Sequence, residues 1–101
     1  QHWHSDMTYN EAPPKLTMLY ALETPEIGGD TAFANQELAY ESLSDGVRKT
    51  IDPLTAIHSA VGLAQTYGKS IEDAPEAQHP VVRTHDQTGN QALYVCRAFT
   101  R

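Results

Sequence analysis

Residues 81–95 read Val-Val-Arg-Thr-His-Asp-Gln-Thr-Gly-Asn-Gln-Ala-Leu-Tyr-Val. Two runs rich in β-branched and aromatic residues flank a polar stretch that contains Gly89. This pattern predicts a β-hairpin. A second run, residues 54–60, alternates so that Ala56 and His58 share one face, which predicts another strand.

Two short helices are predicted between the first third of the chain and these strands. Asn35 is a typical N-cap and precedes apolar residues at helical spacing. Ser44 or Asp45 can cap a second helix that reaches about Ile51.

Further strands are expected near the start of the chain, at residues 4–9, 16–22 and 31–34. The second of these is apolar on both faces, as in a buried strand. Residues 61–78 are acidic and weakly periodic, and they predict a long loop with one helical turn near residues 70–74. Strands, a helical pair and more strands indicate a β-rich α+β fold rather than regular βαβ alternation.

Length and charge limit the classes of function. The chain has 101 residues, and 13 Asp and Glu against 7 Lys and Arg give a formal net charge of −6. This length fits a single domain. The acidic balance argues against non-specific nucleic-acid binding, which needs clustered cations. No apolar run approaches the roughly 20 residues of a membrane span, and the single Cys96 excludes an internal disulfide.

The two ends of the sequence suggest part of a longer protein. The chain opens on Gln1 and a dense group of polar and aromatic residues, without the pattern of a signal peptide. It stops at Arg101, directly after a strand-like run. A cytoplasmic location is the default expectation, and the oligomeric state is left open, with a homo-oligomer as one option.

The triplet His4-Ser5-Asp6 is the sharpest local chemical signal. In a strand, side chains two residues apart point to the same face. An imidazole nitrogen and a carboxylate oxygen would then face one metal ion. With a distant histidine they would form the facial triad of non-haem Fe(II) oxygenases. Alone the triplet is weak evidence for a metal site, because a histidine and an aspartate at this spacing also occur on exposed strands without a metal.

Its context is more specific. Trp-His-Ser-Asp at residues 3–6 is followed by Gly-Gly-Asp-Thr at 28–31 and by His-Pro-Val-Val-Arg-Thr-His at 79–85. This ordered series resembles the taurine dioxygenase-like (TauD/TfdA) family of Fe(II)- and 2-oxoglutarate-dependent dioxygenases. Members of that family act on sulfonates, alkyl sulfates and aryloxyalkanoates. The resemblance covers nearly the whole chain.

The resemblance implies a fold and a domain assignment. The expected fold is a partial double-stranded β-helix (jelly roll) with a helical pair, incomplete at both ends. Residues 1–101 would be part of a single dioxygenase domain, whose C-terminal part carries the third iron ligand.

The resemblance also implies roles for five residues. His4 and Asp6 correspond to the first two iron ligands. Thr31 corresponds to a threonine whose hydroxyl donates to a carboxylate of 2-oxoglutarate. Met7 and Phe99 correspond to positions that face the substrate. The third ligand, a histidine, and an arginine that pairs with 2-oxoglutarate are expected beyond the C-terminal residue.

The expected activity is hydroxylation of a small organic acid, a sulfonate, sulfate ester or aryloxyalkanoate, coupled to conversion of 2-oxoglutarate and O₂ to succinate and CO₂. The cofactor implied is Fe(II), and the 101 residues alone are expected to be inactive. Two alternatives are a non-catalytic jelly-roll binding module and a complete small metal-binding protein. The latter would join His2, His4 and Asp6 to another histidine, such as His58 or His79.

Overall fold

A computed structural model describes residues 2–101. Within them, three short helices and four short strands follow one another. In chain order they are α1 (Gln36–Glu41), α2 (Asp45–Ile51), β1 (Thr55–Ser59), α3 (Val61–Thr66), β2 (Glu76–Pro80), β3 (Val82–Thr84) and β4 (Gln91–Leu93). The strands form two antiparallel pairs, β1 with β2 and β3 with β4.

Both predicted helices are confirmed, together with their caps. The Asn35 side chain accepts hydrogen bonds from the backbone N–H groups of Glu37 at 2.9 Å and Leu38 at 3.0 Å. The Ser44 hydroxyl accepts from the backbone N–H of Val47 at 3.4 Å. These side chains satisfy donors that the first turn of a helix leaves unpaired.

The helical pair is fixed to the predicted hairpin, which is also confirmed. Helix α1 packs against β4, and the Asn90 amide donates to the Glu37 carboxylate at 2.9 Å. Tyr40 is buried, and its hydroxyl donates to Asp52, just after α2, at 2.8 Å. This hydrogen bond to a carboxylate raises the pKa of Tyr40 above its ordinary value.

Strand β1 is paired on both of its edges. On one edge it pairs with β2, with Ala56 opposite His79. On the other edge the last residues of the chain run antiparallel to it. The backbone N–H of Ser59 donates to the carbonyl of Phe99 at 2.8 Å, and the N–H of Arg101 donates to the carbonyl of Ile57 at 2.9 Å. The predicted strand at residues 54–60 is therefore the centre of a small three-stranded arrangement.

The core lies around β1, and half of its members are polar. The buried side chains are Thr8, Tyr40, His58, Ser59, Ala60, Ala64, His79 and Val82. The alternation predicted for β1 is confirmed, because His58 is buried while Thr55 and Ile57 are exposed.

The predicted strand at residues 4–9 is wrong. Residues 6–9 form a turn, which is closed by a hydrogen bond from the backbone N–H of Asn10 to the carbonyl of Met7 at 3.0 Å. The local pairing of turn groups takes the place of a strand ladder, which would need a neighbouring strand.

The predicted strands at residues 16–22 and 31–34 are also wrong. Neither segment forms regular structure, and their apolar side chains are exposed, with Met18 at 94% and Phe33 at 91%. A strand needs a partner for its backbone groups, and within residues 2–101 neither segment lies in a sheet. The apolar pattern therefore marks surface that residues 2–101 leave uncovered.

The long loop predicted at residues 61–78 is wrong at both ends. Helix α3 occupies its start, and β2 begins at Glu76. Helix α3 has no side-chain cap, which is why the capping signal missed it. The predicted turn is present, since the backbone N–H of Ala74 donates to the carbonyl of Ile71. Among the described residues, no helix has the length and apolarity needed to cross a membrane.

Glu76 connects β2 to the other two strands of the three-stranded arrangement. Its carboxylate accepts a hydrogen bond from the Ser59 hydroxyl at 2.7 Å and also pairs with the Arg101 guanidinium. The Ser59 hydrogen bond, with help from Arg101, lowers the pKa of Glu76 below its ordinary value of 4.5. The folded state therefore favours the charged carboxylate.

Replacing Glu76 by glutamine should destabilise the full-length protein at pH 7. Because the pKa is lowered on folding, the contribution is complete above pH 4.5. It is lost as the pH falls through the folded-state pKa. Urea unfolding of wild type and Glu76→Gln should show a gap at pH 7 that narrows below pH 4. Glu72→Gln is the control, since Glu72 makes no ion pair within residues 2–101. A gap independent of pH would contradict this assignment.

Candidate metal centre

The His4 and Asp6 side chains converge although they do not lie on a strand. His4 Nε2 is 3.2 Å from Asp6 Oδ1, and each side chain is a little under half exposed. Two donors on neighbouring positions of one cation lie about 3 Å apart, because each bond is about 2.1 Å long. The spacing therefore fits a shared metal ion, and nitrogen with carboxylate oxygen is a donor set that suits Fe(II).

The hydrogen bond of His4 fixes which ring nitrogen is available. His4 Nδ1 lies 2.8 Å from the backbone carbonyl of His2. A carbonyl only accepts, so Nδ1 donates this hydrogen bond, and Nε2 is the ring nitrogen that faces Asp6. Metal-binding histidines are commonly held in this way. The hydrogen bond thus orients the ring so that Nε2 is the nitrogen that would bind a cation.

The turn that follows the pair has an unusual backbone conformation. Met7 has φ of +51°, in the left-handed region that residues with a Cβ rarely adopt. Thr8 is almost completely buried, so the turn is seated in the protein while the His4 and Asp6 side chains stay accessible. The same-face argument for a strand was wrong, yet the turn brings the two groups together.

Phe99, which the family resemblance assigns to the substrate side of the site, lies against His4. Its ring meets the His4 ring edge to face with centroids 5.9 Å apart, and the Tyr9 ring at 5.3 Å. Pairing of the chain end with β1 holds Phe99 there. The Met7 side chain, directly after Asp6, is 45% exposed. Their role toward a substrate stays a prediction.

Thr31 is not part of this arrangement. It is exposed, lies in the segment without regular structure, and makes no side-chain hydrogen bond within residues 2–101. Nor do the described residues bring three or more His, Cys, Asp or Glu side chains together as a metal site. The alternative of a complete small metal site needs such a group, and His58 and His79 do not supply it.

An open pocket beside the turn escaped the sequence analysis, because helix α3 was not predicted. Its volume is about 250 Å³. The residues that line it are Tyr9, Ala60, Leu63, Ala64, Tyr67 and Lys69. Tyr9 both lines this pocket and contacts Phe99, so the pocket lies next to this aromatic contact.

Comparison with known proteins identifies the family. The family model described as taurine catabolism dioxygenase TauD, TfdA family matches residues 1–101. The chain belongs to this family. The predicted resemblance is thereby confirmed.

Relatives within the TauD family are similar over nearly all of this chain. An alpha-ketoglutarate-dependent sulfonate dioxygenase of Saccharomyces cerevisiae is 38% identical over 98% of the chain and 25% of its own length. An alpha-ketoglutarate-dependent sulfate ester dioxygenase of Pseudomonas putida is 36% identical over 90% of the chain and 35% of its own length. The chain thus spans a quarter to about a third of these relatives.

A solved structure gives the same result. The crystal structure of a taurine dioxygenase from Burkholderia xenovorans superposes with a TM-score of 0.73 at 32% identity. The superposition covers 98% of this chain and 32% of the crystallised one.

The left-handed conformation of Met7 yields a test of the turn. A β-branched side chain is disfavoured there, whereas asparagine is among the residues that best tolerate it. Met7→Val should therefore be less stable than Met7→Asn by about 1 kcal/mol or more. Urea unfolding of the metal-free full-length protein measures the difference. Met7→Leu, unbranched at Cβ, is the control and should resemble wild type, while a Met7→Val variant as stable as Met7→Asn would contradict the turn.

Proposed function

We propose that this chain is part of an Fe(II)- and 2-oxoglutarate-dependent dioxygenase that hydroxylates a small organic acid. The substrate class is a sulfonate, sulfate ester or aryloxyalkanoate. The observation that carries the proposal is the pairing of His4 Nε2 with Asp6 Oδ1 at 3.2 Å in a member of the TauD family.

His4 and Asp6 would hold the iron through these two atoms. When bound, Fe(II) supplies activation of O₂ coupled to oxidation of 2-oxoglutarate. One oxygen atom of O₂ enters succinate, CO₂ leaves, and the other oxygen atom is inserted into a C–H bond of the substrate. A carbon that bears sulfonate, sulfate or ether oxygen then loses that group, because its hydroxylated product is unstable.

The remaining residues of the site would bind 2-oxoglutarate and shape the substrate pocket. The Phe99 ring packs against His4, and the Tyr9 ring packs against Phe99. These rings would exclude water there and present an apolar wall to the carbon skeleton of the substrate. Met7 would line the same space. The Thr31 hydroxyl would donate a hydrogen bond to a carboxylate of 2-oxoglutarate once its segment is packed against the rest of the enzyme.

We further propose that residues 1–101 are part of a single jelly-roll domain. The exposed apolar residues of the extended segment support this. Leu16, Met18 and Leu22 are each at least 85% exposed, and several exposed large apolar side chains in one segment fit a surface that is covered in the intact molecule. A cytoplasmic location stays a prediction, and the oligomeric state stays open with a homo-oligomer as one option.

Removing either ligand should abolish metal binding and turnover. In the full-length protein, His4→Ala and Asp6→Ala should lose stoichiometric Fe(II) binding under anaerobic titration and succinate formation from 2-oxoglutarate. His2→Ala is the matched control, because the carbonyl that accepts from His4 belongs to the backbone and survives the change. Metal binding retained by both ligand variants would favour a non-catalytic module with a different site.

The same proposal predicts that residues 1–101 alone form no succinate with Fe(II), ascorbate and O₂, because they carry only two of three protein ligands. The full-length protein is the positive control in the same assay. Turnover by the 101 residues would refute the expected distal histidine.

A further inference from the structure

His79, in the buried part of β2, contacts the turn that carries the metal ligands. Its Nε2 lies 3.0 Å from the backbone carbonyl of Asn10, and the side chain is 9% exposed. Among residues 2–101, this is the one hydrogen bond between residues 2–12 and the rest of the chain. The other contact described above is the packing of Phe99 on His4 and Tyr9.

The direction of this hydrogen bond is determined. A carbonyl oxygen accepts, so His79 Nε2 carries the proton and donates. The N–H of the same residue, Asn10, donates to the carbonyl of Met7 and closes the turn. Met7 directly follows the ligand Asp6. A short covalent and hydrogen-bonded path therefore leads from the His79 ring to the carboxylate that faces His4.

The His79 ring packs against two other rings. It meets the His58 ring edge to face at 5.3 Å and the Tyr94 ring at 5.5 Å. The His58 ring stacks on the Tyr94 ring with centroids 5.3 Å apart. The Arg83 guanidinium also lies over the Tyr94 ring, 4.6 Å from its centroid. The donor thus comes from a packed group on the sheet rather than from a mobile side chain.

His58 offers a chemical contrast within this group. It is 1% exposed, and neither of its ring nitrogens has a hydrogen-bond partner within residues 2–101. Burial, reinforced by the nearby His79, lowers the pKa of His58 below its ordinary value, so the ring is neutral. His58 packs, whereas His79 both packs and donates.

We propose that His79 is a positioning residue for the metal centre: its N–H to the Asn10 carbonyl sets the turn so that Asp6 faces His4 before metal binds. The inference rests on the proposed function. Because the turn is already set in the metal-free protein, metal binding requires no change in the His79 hydrogen bond.

The test compares matched variants of the full-length protein. His79→Met and His79→Gln have side chains of similar size, but only glutamine can donate. His58→Met is the control for packing in the same group. Affinity for Co(II), a coloured substitute for Fe(II), is measured by visible absorbance without substrate or turnover. Amide hydrogen exchange over residues 4–12 of the metal-free protein reports the turn itself.

His79→Met should weaken Co(II) binding by roughly ten-fold and speed exchange at residues 4–12. His79→Gln should keep most of the Co(II) affinity and most of the protection from exchange. His58→Met should leave the affinity and the exchange rates near those of wild type. Unchanged affinity in His79→Met, or an equal loss in His58→Met, would overturn the inference. If His79→Met does not fold, His79→Gln decides: wild-type exchange over the turn supports the inference, and faster exchange overturns it.

These readouts separate the two proposals. A wild-type protein that binds no Co(II) refutes the proposed function, and the metal role of His79 with it. Normal binding by wild type together with unchanged affinity in His79→Met refutes the positioning role alone.

Discussion

The two-sided pairing of β1 is the constraint on which the rest of the structure depends. One edge of this strand is paired with β2, which carries His79, and the other with the end of the chain, which carries Phe99. Both residues then reach the same short stretch of chain near the N-terminus, His79 through Asn10 and Phe99 through His4. Without β1 between them, the two residues that contact the turn of residues 6–9 and its neighbours would not be held by the same sheet.

Sequence reasoning succeeded where the cause of structure is local. Asn35 and Ser44 cap helices because their side chains accept from N–H groups two or three residues ahead. The hairpin around Gly89 is likewise encoded by neighbours, since Gly89 adopts a positive φ of 76° that glycine permits. Helix α3 lacks a capping side chain, and its weak pattern was accordingly missed.

Prediction failed where structure depends on distant partners. Residues 16–22 have the apolar composition of a buried strand, but composition does not supply the neighbour that a strand requires. At residues 4–9, the turn is set by a left-handed Met7 and by a hydrogen bond from His79, 69 positions beyond Asn10. The family resemblance proposed His4 and Asp6 as candidate ligands without indicating the backbone that presents them.

This difference in backbone changes what the His-x-Asp motif requires. On a strand, the ladder alone would aim side chains two residues apart at one face. On a turn, no periodicity does so, and orientation must come from contacts made by other residues: the His2 carbonyl on His4 Nδ1, and the His79 imidazole on Asn10. A His-x-Asp triplet is therefore a weak signal by itself, because the triplet does not encode those contacts. It becomes informative together with the later His-Pro-Val-Val-Arg-Thr-His run, since the first histidine of that run is the residue that holds the turn.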